Sequence, residues 1–74
     1  MKYVYLLQSI SDASRYYSGS TDDFPERLTA HNAGKSPHTS KYMPWKAVVV
    51  CWFADEQRAA EFERYLKSGS GRAR

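Results

Sequence analysis

Five side chains in this sequence are of types that do chemistry on phosphate: Tyr5, Tyr17, Arg27, His31 and Glu63. A glutamate can hold a hard divalent cation through oxygen, with water filling most of the remaining shell. A guanidinium and a bound cation offset the negative charge that builds on a phosphoryl group under attack. A phenolate or an imidazole can take the proton from the attacking water. Together the set is what hydrolysis of a phosphodiester needs.

Each member also has a plainer reading. Tyrosine is a good strand former and fills cores well, which would account for Tyr5 and Tyr17. Arg27 and Glu63 could meet across a sheet as an ion pair. Helical phase sharpens the choice. At roughly 100° per residue, Phe24, Leu28 and His31 of "FPERLTAHN" fall in one narrow arc, with Arg27 at its edge. In "AAEFERYLK", Phe62 and Leu66 lie within about 60° of Ala59, and Glu63 lies about 40° to the other side. Glu61 points nearly opposite, toward water. A carboxylate bordering a core is costly unless it is paired, hydrogen-bonded or bound to a metal.

The elements that must position these residues can be read along the chain. "KYVYLLQS" reads as a strand with Tyr3, Tyr5 and Leu7 on one face, Val4 and Leu6 on the other, and both faces covered. "RYYSGS" is a second short strand that can pair with it as an antiparallel hairpin. "TDDFPERLTAHNAGK" has helix signals at both ends. Asp23 and Glu26 suit a capping box, Pro25 sits in the first turn, and Gly34 supplies the stop. "KSPHTSKYMPWK" reads as a loop and "AVVVCWF" as a buried strand. "DEQRAAEFERYLKSGSG" is a second helix, capped by Asp55 and closed by its Ser/Gly cluster. The expected fold is α/β of the α+β type. A small three-stranded antiparallel sheet is flanked by helices in the order β-β-α-β-α.

Seventy-four residues suit a single domain spanning 1–74, and the 11 aromatics help so short a chain to build a core. One cysteine, Cys51, excludes an internal disulfide, a disulfide-linked partner being equally unexpected, and its apolar surroundings predict a small buried hydrophobe. No apolar stretch approaches a membrane span, and the opening residues turn polar too soon for a signal peptide, so a cytoplasmic setting without membrane contact is expected. Net charge is +3, and residues 35–74 hold the whole surplus, with eight Lys/Arg against four Asp/Glu. A basic second half favours an anionic partner such as nucleic acid.

"YVY" (Tyr3–Tyr5), "YSG" (Tyr17–Gly19) within "YYSGSTDDFPERLTAHNAG", and "FERYLK" resemble the GIY-YIG nuclease superfamily, in particular its small stand-alone bacterial members. The likeness runs from Tyr3 to about Arg72. It implies that Tyr5 and Tyr17 are the tyrosines of the two tripeptides and that Gly19 is the closing glycine, letting the backbone approach phosphate or helix. It further implies that Arg27 and His31 are the helix arginine and histidine, and that Glu63 is the metal-binding glutamate. Tyr3 stands for the first glycine of the name and Ser18 for the isoleucine. No asparagine follows Asn32, so the family's C-terminal segment is expected to be cut short.

The resulting expectation is an endonuclease acting on DNA, in preference to RNA, with a single Mg²⁺ or Mn²⁺ on Glu63. Arg27 would stabilise the transition state, and either Tyr5 or Tyr17 would be the general base. The loop residues Lys35, Lys41, Tyr42, Trp45 and Lys46 mix cations with flat rings, as a surface tracking a phosphate backbone and stacking on bases would. The chain is expected to act as a monomer or weak dimer. The alternatives are a non-catalytic nucleic-acid-binding module of the same fold and a structural adaptor whose Arg, Glu and Tyr residues form a buried polar network.

Overall fold

The computed structural model describes residues 2–68. Its elements follow in the order β1 (Lys2–Ser9), β2 (Tyr16–Thr21), α1 (Phe24–Asn32), a single 3-10 turn (Ser40–Tyr42), β3 (Trp45–Phe53) and α2 (Glu56–Lys67). The three strands form one antiparallel sheet in the order β2-β1-β3. This is the expected α+β arrangement. Residues 69–71 of the Ser/Gly cluster, and with them the expectation about the C-terminal segment, lie outside the described residues.

β1 is central because it is apolar on both faces. Val4, Tyr5, Leu6 and Leu7 are all buried, and each full burial of such a side chain contributes about 1.5–3 kcal/mol. Alternation sends the four to opposite sides. Val4 and Leu6 pack with Ala59 and Leu66 of α2, flanked by Val49, Phe53 and Phe62. Tyr5 and Leu7 pack with Trp45, flanked by Tyr17, Phe24, Leu28 and Tyr42. Each helix therefore covers one face of the sheet.

Both helices start on aspartate side chains. The Asp23 carboxylate accepts from the Glu26 N–H at 3.2 Å, and that of Asp55 from the Gln57 N–H at 2.8 Å. The return half of the expected capping box is replaced, since the Asp23 N–H donates to Thr21 Oγ1. Gly34, at φ +77°, turns the chain away after α1, a conformation that costs glycine little. Among the described residues no helix is long and apolar enough to cross a membrane.

β3 departs from expectation. It is an edge strand, with Val50 and Trp52 exposed on the α1 side of the sheet, Trp52 at 53%, and Val48 exposed as well. Cys51 is half-buried rather than sealed. The run of branched and aromatic residues predicted burial on both faces, but α1 does not reach across the whole sheet. The β1–β3 ladder also has an irregularity: Leu6 pairs with Val49 and Leu7 with Ala47, which leaves Val48 as an extra residue, a β-bulge. The bulge re-phases the strand, so that Trp45 comes to the face of Tyr5 and Leu7.

Candidate active site

Hairpin register brings the two tyrosines to one face. Leu7 pairs with Tyr17 and Tyr5 with Gly19, and cross-strand partners share a side of the sheet. Gly19 is buried, and its missing side chain has a specific use. A Cβ built there would stand 2.7 Å from the Tyr5 hydroxyl. The glycine makes room for the phenol, where the expectation had phosphate or a helix in that space.

α1 carries His31 beneath this face, at 1% exposure. His31 Nε2 lies 3.1 Å from the Tyr5 hydroxyl, and Nδ1 lies 2.8 Å from the hydroxyl of Thr39. Its ring also meets the Tyr17 ring edge-on at 5.1 Å between centroids. Burial lowers the His31 pKa, and the Arg27 cation lowers it further, so the imidazole is neutral at pH 7. Tyr5 is pushed up to about 12, first by burial, then by the neighbouring Tyr17, with Glu63 adding and Arg27 opposing. Tyr17, Arg27 and Glu63 thus all act electrostatically on one hydroxyl.

Glu63 belongs to the opposite layer, on α2, yet its charge acts on Tyr5. Its side chain is 23% exposed and pairs with Lys67 at 3.0 Å. Among the described residues no ion pair joins Arg27 to Glu63, and Arg27 is exposed at the rim of α1. Glu61, two residues away, is exposed, as helical phase predicts.

The loop between α1 and β3 divides in two. Lys35, Lys41 and Lys46 are exposed. Tyr42 is half-buried, with the Arg15 guanidinium 4.7 Å from its ring centroid. Trp45 is 4% exposed, and its indole N–H donates to the Thr39 carbonyl at 2.8 Å. Its ring therefore presents no face to a base, and it serves the loop as an anchor. Asn32 clamps the same residue: its side-chain N–H donates to the Trp45 carbonyl and its oxygen accepts the Trp45 N–H at 2.6 Å. His38 is exposed on the loop, away from this set.

The family profile of the GIY-YIG catalytic domain matches residues 1–74. The chain belongs to the GIY-YIG family. It is similar to the structure-specific endonuclease subunit SLX1 of Scheffersomyces stipitis, with 40% identity over 67 residues that cover 81% of this chain and 20% of that protein. It is also similar to a UPF0213 protein of Streptococcus pneumoniae, 38% identical over 66 residues, covering 88% of this chain and 65% of the relative. A UPF0213 protein of Lacticaseibacillus paracasei is 33% identical over 66 residues, covering 88% of this chain and 73% of the relative. The chain thus spans a fifth of the first relative's length and about two thirds of the second's. No solved structure gives a significant match.

In this GIY-YIG domain the last residue of the first tripeptide, Tyr5, lies directly opposite the last of the second, Gly19. The tripeptides are therefore two halves of one packing unit. Among the described residues no three His, Cys, Asp or Glu side chains form a metal-binding group. Mg²⁺ is commonly held by one or two carboxylates plus water and substrate phosphate, and a partly exposed Glu63 fits that pattern. Two residues that hold the candidate site together, Thr39 and Asn32, carry little signal in the sequence. A single hydroxyl in a loop has no period to betray it. Asn32, the last helical residue before Ala33–Gly34, offers a weak signal as a polar side chain free to reach the next segment.

Proposed function

We propose that this chain is the catalytic domain of a metal-dependent endonuclease that hydrolyses phosphodiester bonds in DNA. The observation that carries the reading is the buried Tyr5–His31–Thr39 hydrogen-bonded chain, set beside Tyr17 and within the electrostatic reach of Arg27 and Glu63. Family membership supports it, as does likeness to a protein named as a structure-specific endonuclease subunit.

In this reading Glu63 holds a single Mg²⁺ or Mn²⁺. When bound, that ion would supply Lewis-acid stabilisation of charge on the phosphate. Arg27 grips a phosphate oxygen pair with its rigid guanidinium fork. One tyrosine takes the proton of the attacking water, and neutral His31 orients the phenol it touches. Lys35, Lys41 and Lys46, with Tyr42, guide the DNA backbone. All these side chains belong to one chain, so a monomer suffices for chemistry.

The test incubates the purified protein with nicked, flapped and branched DNA, with Mg²⁺, with Mn²⁺ or with a chelator. Metal-dependent cleavage that the chelator abolishes is expected. Salt-dependent binding without cleavage would favour a non-catalytic module, and neither binding nor cleavage a structural adaptor.

A further inference from the structure

The sheet order β2-β1-β3 leaves an open edge on two strands. β2 is short and rich in small polar residues, "YYSGST". β3 is nine residues long, and only Trp45 in it is buried. From Ala47 to Ala54 the chain has neither a charge nor a proline. An edge exposes unpaired N–H and C=O groups, a template for another strand, and proteins guard it with lysine, proline, a bulge or a covering segment. The guard on β3 is the bulge at Val48, and it leaves Val49–Phe53 regular.

Both faces of this regular stretch are apolar. Val50 and Trp52 pair with Tyr5 and Tyr3 and stand 41% and 53% exposed on the α1 side. Val49, Cys51 and Phe53, on the α2 side, are half-buried. The stripe itself carries no cation, so it does not suit a phosphate backbone. It suits a strand that is likewise apolar on both faces, and a second copy of β3 is one. Charge sets the direction. Exposed Lys46 precedes the stretch and exposed Asp55 follows it. Parallel copies would bring like charges together, whereas antiparallel copies bring Lys46 of each toward Asp55 of the other. The register follows as well. Val49–Phe53 is centred on Cys51, so pairing that uses all of it sets Cys51 against its own counterpart, Val50 against Trp52 and Val49 against Phe53. Lys46 pairs with Gln8 and so lies on the α2 side. Asp55, still extended at φ −102° and ψ 116°, follows Phe53 on that side by one step of alternation. With Val48 taken up by the bulge, the two charges come into line.

We propose that the β3 edge is a self-association surface, at which two copies of this chain join antiparallel about Cys51 into one six-stranded sheet. The contact uses the same patch on both copies and consumes the open β3 edge of each, so association closes at two. Its two-fold axis stands perpendicular to the sheet, which keeps α1 of both copies on one side. The two β1 strands are then three strand spacings apart, about 14 Å, with both Tyr5 side chains on a common face. A monomer suffices for the chemistry proposed above, and association adds a second site facing the same way.

The experiment is sedimentation velocity on the purified chain, without metal or DNA, from about 10 µM to about 1 mM, a range in which mass action draws out a weak dimer. Wild type is expected to move from monomer toward dimer across it. Val50→Lys sets a charge against Trp52 of the other copy and should hold the protein monomeric, with the melting temperature at the lowest concentration unchanged. Ile10→Lys alters a side chain that is 59% exposed on the β1–β2 loop, and it should associate as wild type does. Copper-catalysed oxidation of the concentrated protein should join two chains through Cys51, because directly opposed antiparallel residues lie about 4.5–5.5 Å apart at Cα, within disulfide reach. A wild type that stays monomeric throughout, or a dimer that Val50→Lys leaves intact, overturns the proposal. A dimer without the Cys51 crosslink overturns its register. Should Val50→Lys fail to fold, Trp52→Lys takes its place with the same expectation. A monomer whose Trp52 fluorescence is quenched by single-stranded DNA would assign the stripe to nucleic acid instead.

Discussion

Glu63 and Glu61 stand two residues apart on α2 and face different surroundings, one half-buried and the other exposed. Glu63→Gln keeps the shape and removes the anion a cation would need, so metal-dependent cleavage should be abolished while the far-UV spectrum and melting temperature hold. Glu61→Gln should leave cleavage unchanged; matching losses in the two variants would undo the assignment. The pair Tyr5 and His31 makes a separate prediction about stability. Folding raises Tyr5 from 10.0 to about 12, so its contribution is complete below pH 10 and lost as pH climbs through 12. Folding lowers His31 below 6.5, so its contribution is complete above pH 6.5 and lost as pH falls through the folded value. Urea titrations across the pH range should show a plateau between about 7 and 9 with a shoulder falling on each side. Tyr5→Phe should flatten the alkaline shoulder and leave the acid one. Gly19→Ala would set a methyl 2.7 Å from the Tyr5 hydroxyl, and overpacking of this kind costs about 1–3 kcal/mol. Calorimetry should find that loss together with a loss of cleavage.

At the scale of elements, the two helices were legible because each begins on an aspartate and keeps its apolar side chains in phase. Helical phase separates Glu63 from Glu61, and the period-two alternation of β1 does the same for Tyr5 against Val4. β3 is less buried than its sequence predicts, for a physical reason. A run such as "AVVVCWF" reports that a strand is apolar, and says nothing of whether a helix exists to cover it. Trp45 was ambiguous because a loop aromatic can stack on a base or anchor its own loop, and the deciding partner, the Thr39 carbonyl, is a backbone atom with no sequence signature. The loop that resulted is pinned at Asn32, Thr39 and Trp45 and holds its lysines outward. Replacing Lys35, Lys41 and Lys46 with Gln should weaken DNA binding and lower its salt slope by about 0.9 for each true phosphate contact on duplex. Fluorescence anisotropy at several salt concentrations reads this directly, and an unaltered slope would place the DNA elsewhere.

At the scale of the whole molecule, the sheet is a partition. One side holds the hydrocarbon core shared with α2, and the other holds the polar cluster under α1. The partition is firm in the middle and slack at the rim. Val48 is a spare link: β1 passes from Leu6 to Leu7 while its partner passes from Val49 to Ala47. A chain lacking Val48 can close into an even ladder with every remaining side chain on its present side. A chain lacking Leu6 cannot, since everything before the gap would change sides. The Val48 deletion should therefore fold and, in a Trp52→Phe background, keep Trp45 fluorescence shielded from acrylamide. The Leu6 deletion should give no cooperative melt. Loss of one residue is thus survivable in the outer strand and ruinous in the central one, and natural length variation of this domain should gather around position 48.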